Sequence, residues 1–197
     1  MIKKLKFIFF FLSLILVSGI SYSLEPNIFI QSTVNRASQI LGDDISKSEK
    51  IEKLKIIATD TVDIKGIGFY TLGKFRKQLN DAEKKEYTKL FREYFLKSFS
   101  SRLSEYSNPK IDVQSQEKLN DKYTIVSSIL VATDTRPEIK IQWRVYTKDP
   151  DKPLIRDLII EGLSLARTQK EEFSSIIQSN DGDIQALFSS LKKFINN

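Results

Sequence analysis

Residues Asp81–Tyr106 read DAEKKEYTKLFREYFLKSFSSRLSEY, and their spacing decides the fold. Tyr87, Leu90, Phe91, Tyr94, Phe95, Phe99, Leu103 and Tyr106 follow one another at intervals of 3, 1, 3, 1, 4, 4 and 3. That repeat lays a continuous apolar stripe along one face of a long helix. Lys85, Lys89, Arg92, Glu93 and Lys97 take the opposite face. Six of the eight stripe residues are aromatic, so the helix presents bulky, flat side chains to whatever packs on it. Pro109 closes the helical region, because proline drives the residue before it toward extended backbone.

Beyond Pro109 the apolar period changes from 3.6 to 2. Ile111 and Val113 alternate with Asp112 and Gln114, and Tyr123–Val131 is a β-branched run. Ile139, Ile141, Trp143 and Val145 alternate with Lys140, Gln142, Arg144 and Tyr146. Leu154–Glu161 is a fourth run. Asn120-Asp121, Arg136-Pro137 and Asp149–Pro153 supply the turns. Four consecutive strands with short connections predict an antiparallel meander. The polar face of the third strand points to solvent and its apolar face to the helices.

Upstream, Pro26–Leu41 reads as a helix, with proline in the first turn, apolar residues at Ile30, Val34, Ala37 and Leu41, and Gly42 as its stop. Ser46 with Glu49 is a capping box that opens a second helix through about Ala58. Asp60–Leu72 reads as one or two short helices interrupted at Gly66 and Gly68, with Gly73 as the stop. Downstream, Gly162 ends the sheet. Two helices follow, near Thr168–Gln178 and Asp183–Asn196, with apolar Phe173, Ile176, Ile177, Ile184, Leu187, Leu191 and Ile195. There are no internal repeats and no Pro/Ser linker. The expectation is a single α+β domain: helices, a four-stranded antiparallel sheet, then helices.

The first 23 residues stand apart from this pattern. Lys3, Lys4 and Lys6 precede the apolar run Phe7–Ile20, and Ser21-Tyr22-Ser23 follows. This is the layout of a secretory signal peptide with cleavage after Ser23. The competing reading is an uncleaved membrane anchor, for which the run of 14 residues is short of the roughly 20 that a spanning helix needs. The mature chain would be 24–197. Its 28 basic and 25 acidic residues give +3, against +6 for all 197 residues. So modest a charge, on an exported chain, argues against a nucleic-acid partner. The chain contains no Cys and no His. That excludes a disulfide framework, a thiolate nucleophile, a Cys/His zinc site and any His-based triad. About 170 residues bury enough surface to be stable on a core alone.

Chemistry would have to rest on carboxylates. Asp60 and Asp63, three apart, suit acid/base work or a divalent cation, although Asp60 is also a natural helix cap. Asp157 and Glu161, four apart in a strand run, would share a face and equally suit a hydrogen-bonded edge. No phosphate loop or metal motif is present; Gly66-Ile67-Gly68 lacks the following lysine and serine. The aromatic stripe has two readings: a filled core, or the wall of an elongated apolar cavity where helix and sheet do not close on each other. Periodicity does not separate them.

Several segments bear on that choice. Tyr70–Arg76 (YTLGKFR) resembles the Leu-Gly-basic segment before the long helix of the MlaC family. Phe91–Phe95 (FREYF), continuing to Tyr106, resembles that helix, and Ile141–Arg144 (IQWR) its third strand. Asp157–Ser164 (DLIIEGLS) resembles the family's Asp, then Glu-Gly-aliphatic-Ser signature, and Phe173 stands at its aromatic position. The resemblance spans about residues 28–195.

The resemblance implies a fold like that of nuclear-transport-factor-type domains, with helices on a curved four-stranded antiparallel sheet. MlaC-like proteins, also called toluene-tolerance auxiliary proteins, are periplasmic phospholipid carriers that maintain outer-membrane lipid asymmetry. The implied cargo is a phospholipid, and no other cofactor is expected. The implied partners are an outer-membrane lipoprotein complex and an inner-membrane ABC transporter with an MCE-domain subunit. On this reading the protein is not an enzyme. Phe69, Leu72, Phe91, Phe95 and Phe99 are expected to line the cavity from the helices. Ile125, Ile139, Ile141, Trp143 and Val145 are expected to line it from the sheet. Two alternatives stand beside it: an enzyme of the same fold type with Asp60 or Asp157 as base, and a periplasmic binding module with a filled core.

Overall fold

A computed structural model describes residues 24–197, and the expected signal segment lies outside the described residues. The helical punctuation of the sequence explains most element boundaries. Helix α1 (Pro26–Gly42) starts on Pro26 and buries Phe29, Ile30, Val34 and Leu41. Helix α2 (Lys47–Thr61) opens on the expected capping box: Ser46 Oγ accepts from the Glu49 N–H at 3.2 Å, and the Glu49 carboxylate accepts from the Ser46 N–H at 3.1 Å. Helix α3 (Ile64–Thr71) is capped by Asp63, not by Asp60, with Asp63 Oδ1 accepting from the Gly66 N–H at 2.8 Å. It runs unbroken through Gly66 and Gly68, where an interruption was expected. A 3-10 turn, Gly73–Lys77, follows, with Gly73 at φ +53°. A second capping box, Asn80 with Glu83, opens α4 (Asp81–Leu103).

The strands are β1 (Ile111–Asn120), β2 (Tyr123–Leu130), β3 (Ile139–Tyr146), β4 (Leu154–Ile160) and β5 (Leu163–Ser164). They pair in sequence order, each antiparallel to the next. The expected α+β architecture is present, with one strand more than expected. Gly162 does not end the sheet. Glu161 and Gly162, at φ +48° and +82°, form a two-residue hairpin turn, and the chain adds β5 before entering α5 (Leu165–Gln178) and α6 (Ile184–Asn196).

The register sorts the side chains into two faces. Val126 lies opposite Trp143, Ser128 opposite Ile141, Leu130 opposite Ile139 and Thr124 opposite Val145. Ile111 and Val113 of β1, and Leu158 and Ile160 of β4, extend the same face. The helical layer covers it: α1 packs on β1 and β2, α3 and α5 on β4, and α4 against α2, α3 and α6. The buried core joins Ile30 and Val34 of α1, Leu72, Tyr87 and Phe91, Val126, Val145 and Ile155 of the sheet, and Phe173, Leu187 and Phe188 of the last two helices.

Candidate functional site

The stripe on α4 divides along its length. In the first half, Tyr87, Leu90 and Phe91 are buried, Phe91 to 2% exposure. The Tyr87 ring stacks on Phe188 at 5.9 Å, and Phe91 meets Phe173 edge-on at 6.2 Å. Helix α3 crosses close by: a Cβ on Gly68 would stand 2.8 Å from Phe91 Cδ1. Glycine is what permits that approach. Tyr87 Oη lies 2.9 Å from Thr71 Oγ1 and 3.1 Å from the Gly68 carbonyl. Burial pushes the Tyr87 phenol far above its ordinary range, against the opposing effect of the Thr71 hydrogen bond.

The second half is different. Phe95, Leu96, Phe99 and Leu103 are only half-buried. Phe95 and Phe99 stack nearly parallel, 5.5 Å apart, and Phe91 continues the row at 6.1 Å from Phe95. The chain passes from this end of α4 into Ile111 of β1, which pairs with Leu130, which pairs with Ile139. On the same sheet face Ile111, Val113, Ile139, Trp143, Leu158 and Ile160 are half-buried as well. The Trp143 indole N–H donates to Ser128 Oγ at 2.8 Å, fixing the ring across two strands. Large apolar side chains on an inward face would be fully buried if protein atoms filled the space between the layers.

The ten expected lining residues fall into three sets. Leu72, Phe91 and Val145 belong to the tightly packed core, as does Ile141 at 7% exposure. Phe69, Phe95, Phe99, Ile139 and Trp143 are the half-buried set around it. Ile125 must be corrected: it pairs with Arg144 on β3 and Glu117 on β1, on the opposite face of the sheet. Ile111, Val113, Leu158 and Ile160 were not singled out from the sequence, although the alternation at Ile111 and Val113 was visible. Their membership of the face follows from strand register, which spacing within one strand does not contain.

The four candidate carboxylates each have a structural partner. Asp60 is exposed and pairs with Arg36 at 3.3 Å. Asp63 caps α3 and binds Arg156 at 2.5 Å. Burial disfavours the Arg156 charge, but hydrogen bonds to Tyr123 and Asp63, together with Asp63's charge, hold the guanidinium above its ordinary value. Arg156 also lies over the Tyr146 ring at 3.9 Å. Asp157 is 4% exposed; it accepts from Ser164 Oγ at 2.6 Å and from the Ala166 N–H at 3.0 Å, with Arg144 Nη1 at 3.6 Å. Glu161 does not share a strand face with it but sits in the turn, accepting from the Lys140 N–H at 2.5 Å. Among the described residues no group of three or more His, Cys, Asp or Glu side chains is placed to hold a metal ion.

Sequence and structural comparisons bear on this geometry. The model of the family described as MlaC protein matches residues 31–193. The chain belongs to the MlaC family. The structure is similar to that of a phospholipid-binding protein from Ralstonia solanacearum, solved in complex with a phospholipid. The TM-score is 0.71 at 19% identity, covering 86% of this chain and 96% of that one; identity this low makes the likeness one of fold. The MlaC-like signature Asp157–Ser164 has a mechanical reading here. Glu161 and Gly162 turn the β4–β5 hairpin, Ser164 caps α5 by accepting from the Arg167 N–H at 3.1 Å, and Asp157 holds Ser164 from below. The signature anchors α5 to the sheet. No helix of the described residues is long and apolar enough to cross a membrane.

Proposed function

We propose that this MlaC-family protein is a periplasmic phospholipid carrier. The acyl chains lie against the half-buried apolar surface of Phe95, Phe99, Ile139 and Trp143, beneath the packed core, and the headgroup stays at the solvent edge. The observation that carries this reading is that α4 is closed at Tyr87 and Phe91 but half-exposed at Phe95, Phe99 and Leu103, while Ile111, Val113, Ile139, Trp143, Leu158 and Ile160 on the inward sheet face are half-exposed beside the buried Val126, Leu130, Ile141 and Val145. Each methylene moved from water onto that surface gains about 0.8 kcal/mol, so a two-chain lipid supplies ample binding energy without any catalytic group. The carrier exchanges cargo with an outer-membrane lipoprotein complex and with an inner-membrane ABC transporter carrying an MCE-domain subunit. Such a role needs neither metal nor turnover. The exposed ion pair of Asp60 with Arg36 and the engagement of Asp157 with Ser164 and Ala166 leave the alternative of a cavity carboxylate base without a favouring observation.

Native mass spectrometry of protein purified without detergent, followed by organic extraction, tests it. The expected result is a stoichiometric adduct of phospholipid mass, or its appearance after incubation with liposomes. A bare mass that persists after liposome incubation overturns the reading in favour of a filled-core binding module.

A further inference from the structure

We propose that the groove between α3 and α5 is a docking site for an acidic segment of a partner protein. The groove, about 710 Å³ and open to solvent, runs between Tyr70 and the Arg167–Ser179 face of α5. Tyr70 is 43% exposed, and the Lys170 ammonium lies 5.4 Å from its ring centroid. Gly73 starts the 3-10 turn directly against this lysine: a Cβ there would stand 2.9 Å from Lys170 Cε. The turn carries Lys74, Arg76 and Lys77, all exposed. From Ile64 to Asn80 the sequence contains no Asp or Glu at all.

Charge is concentrated here. Arg167 and Lys170 line the groove against the single negative charge of Glu171, and the adjoining 3-10 turn adds Lys74, Arg76 and Lys77, where residues 24–197 together carry only +3. Among the described residues none of the five forms an ion pair; eight other basic residues do, among them Arg36, Lys84 and Lys192. Such a field attracts an acidic partner and speeds its encounter. The lining favours a polypeptide over a bilayer. Ser174, Ser175 and Gln178 offer hydrogen bonds to a peptide backbone, the site is concave, and its one large apolar side chain, Tyr70, supplies a ring with a polar tip of the kind enriched at protein interfaces. The inference goes beyond the cargo reading and does not depend on it: the groove lies on the outer surface of α3 and α5, and none of its lining residues belongs to the apolar face described above.

The test compares binding of poly-L-glutamate and of phosphatidylglycerol vesicles to the purified protein, to the double variant Arg167→Glu/Lys170→Glu, and to Lys148→Glu/Lys152→Glu. The last pair lies on the β3–β4 connection and makes the same change in net charge elsewhere. Polyglutamate should bind the parent, lose about ten-fold in affinity in the groove variant, and keep its affinity in the other. Added salt should weaken the parent complex. Equal losses in both variants, or no binding by the parent, overturn the proposal. Groove-dependent binding of vesicles without binding of polyglutamate replaces the protein partner with a membrane surface. Retained circular dichroism and retained phospholipid adduct mass in the groove variant separate this result from misfolding and from any failure of the carrier reading.

Discussion

The two halves of α4 carry one aromatic repeat and end in different surroundings. Tyr87 and Phe91 are sealed among α3, α5 and α6, with Phe188 and Phe173 in ring contact. Phe95 and Phe99, four and eight residues on from Phe91 along the same face, are half-buried. Residue type does not account for the difference, since phenylalanine stands on both sides of it. What changes is what lies across: the first half is wrapped by the last two helices, which add their own aromatic rings. Phe95 and Phe99 stack on each other and on Phe91, and on the inward sheet face Ile139, Trp143, Leu158 and Ile160 are likewise incompletely covered. A periodic apolar stripe therefore states which side of a helix faces inward, and leaves open whether anything fills the space it faces.

The largest expected effect tests the open half directly. Phe95→Asp places a charge on the surface proposed to take acyl chains, where burying it without a partner is prohibitive. The phospholipid adduct should disappear from the native mass spectrum while circular dichroism shows a folded protein. Ile125→Asp, on the outer face opposite Arg144, should leave the adduct in place. Loss of cargo in both, or in neither, would erase the distinction between the faces.

The closed half is best tested by truncation in lipid-free protein. Phe91→Ala removes a ring that is 2% exposed and should cost about 3–5 kcal/mol in urea-induced unfolding. Phe99→Ala should cost about half of that, because part of its surface is already in water. Equal costs would mean that both halves are equally packed. A smaller effect probes the close crossing that seals this half. Gly68→Ala brings a methyl group within 2.8 Å of Phe91 Cδ1 and should destabilise by about 1–3 kcal/mol through overpacking, against helix propensity, which favours alanine. A stabilised Gly68→Ala variant would show that Phe91 has room to move.

The long helix, the strands and the Ser46–Glu49 box were legible because each rests on local chemistry: a period, a cap, a turn. The α3 helix was misjudged for the converse reason. Gly66 and Gly68 look like breakers in isolation, but Gly68 serves the tertiary crossing with Phe91, a partner 23 positions away in the sequence. The Asn80–Glu83 box is a local signal of the same kind as the Ser46–Glu49 box. Ile125 shows the limit of spacing most clearly. Tyr123, Ile125 and Ile129 alternate with Val126 and Leu130, so β2 is apolar at both parities and its inward face is set by pairing with β3. The candidate site shares that limit, since Ile139 and Trp143 were visible as one face of a strand, whereas their half-burial depends on where α4 sits. Asp157 and Glu161 drew attention as paired carboxylates, but the turn at Glu161 and Gly162 separates them and assigns both to anchoring the hairpin.

The smallest effect sharpens the same comparison through pH. Burial raises the phenol pKa of Tyr87 far above the value of about 10 that it has in the unfolded chain. Burial also raises Tyr94, helped by the nearby charge of Glu172, but less strongly, at the boundary between the two halves. Below pH about 10 both states hold these protons, and neither group makes stability depend on pH. Above it the unfolded chain releases its protons while the folded chain retains them, so the folded state binds more and stability falls as pH rises. Tyr87→Phe should therefore flatten the alkaline limb of the stability curve, at a cost of about 1 kcal/mol near neutrality for the lost contacts to Thr71 and Gly68. Tyr94→Phe, which gives up its 2.7 Å bond to Gln169, should flatten it less. If Tyr94→Phe flattened it as much as Tyr87→Phe, the boundary at Tyr94, where its ring meets Phe173 and Phe194, would be as sealed against water as the first half of α4.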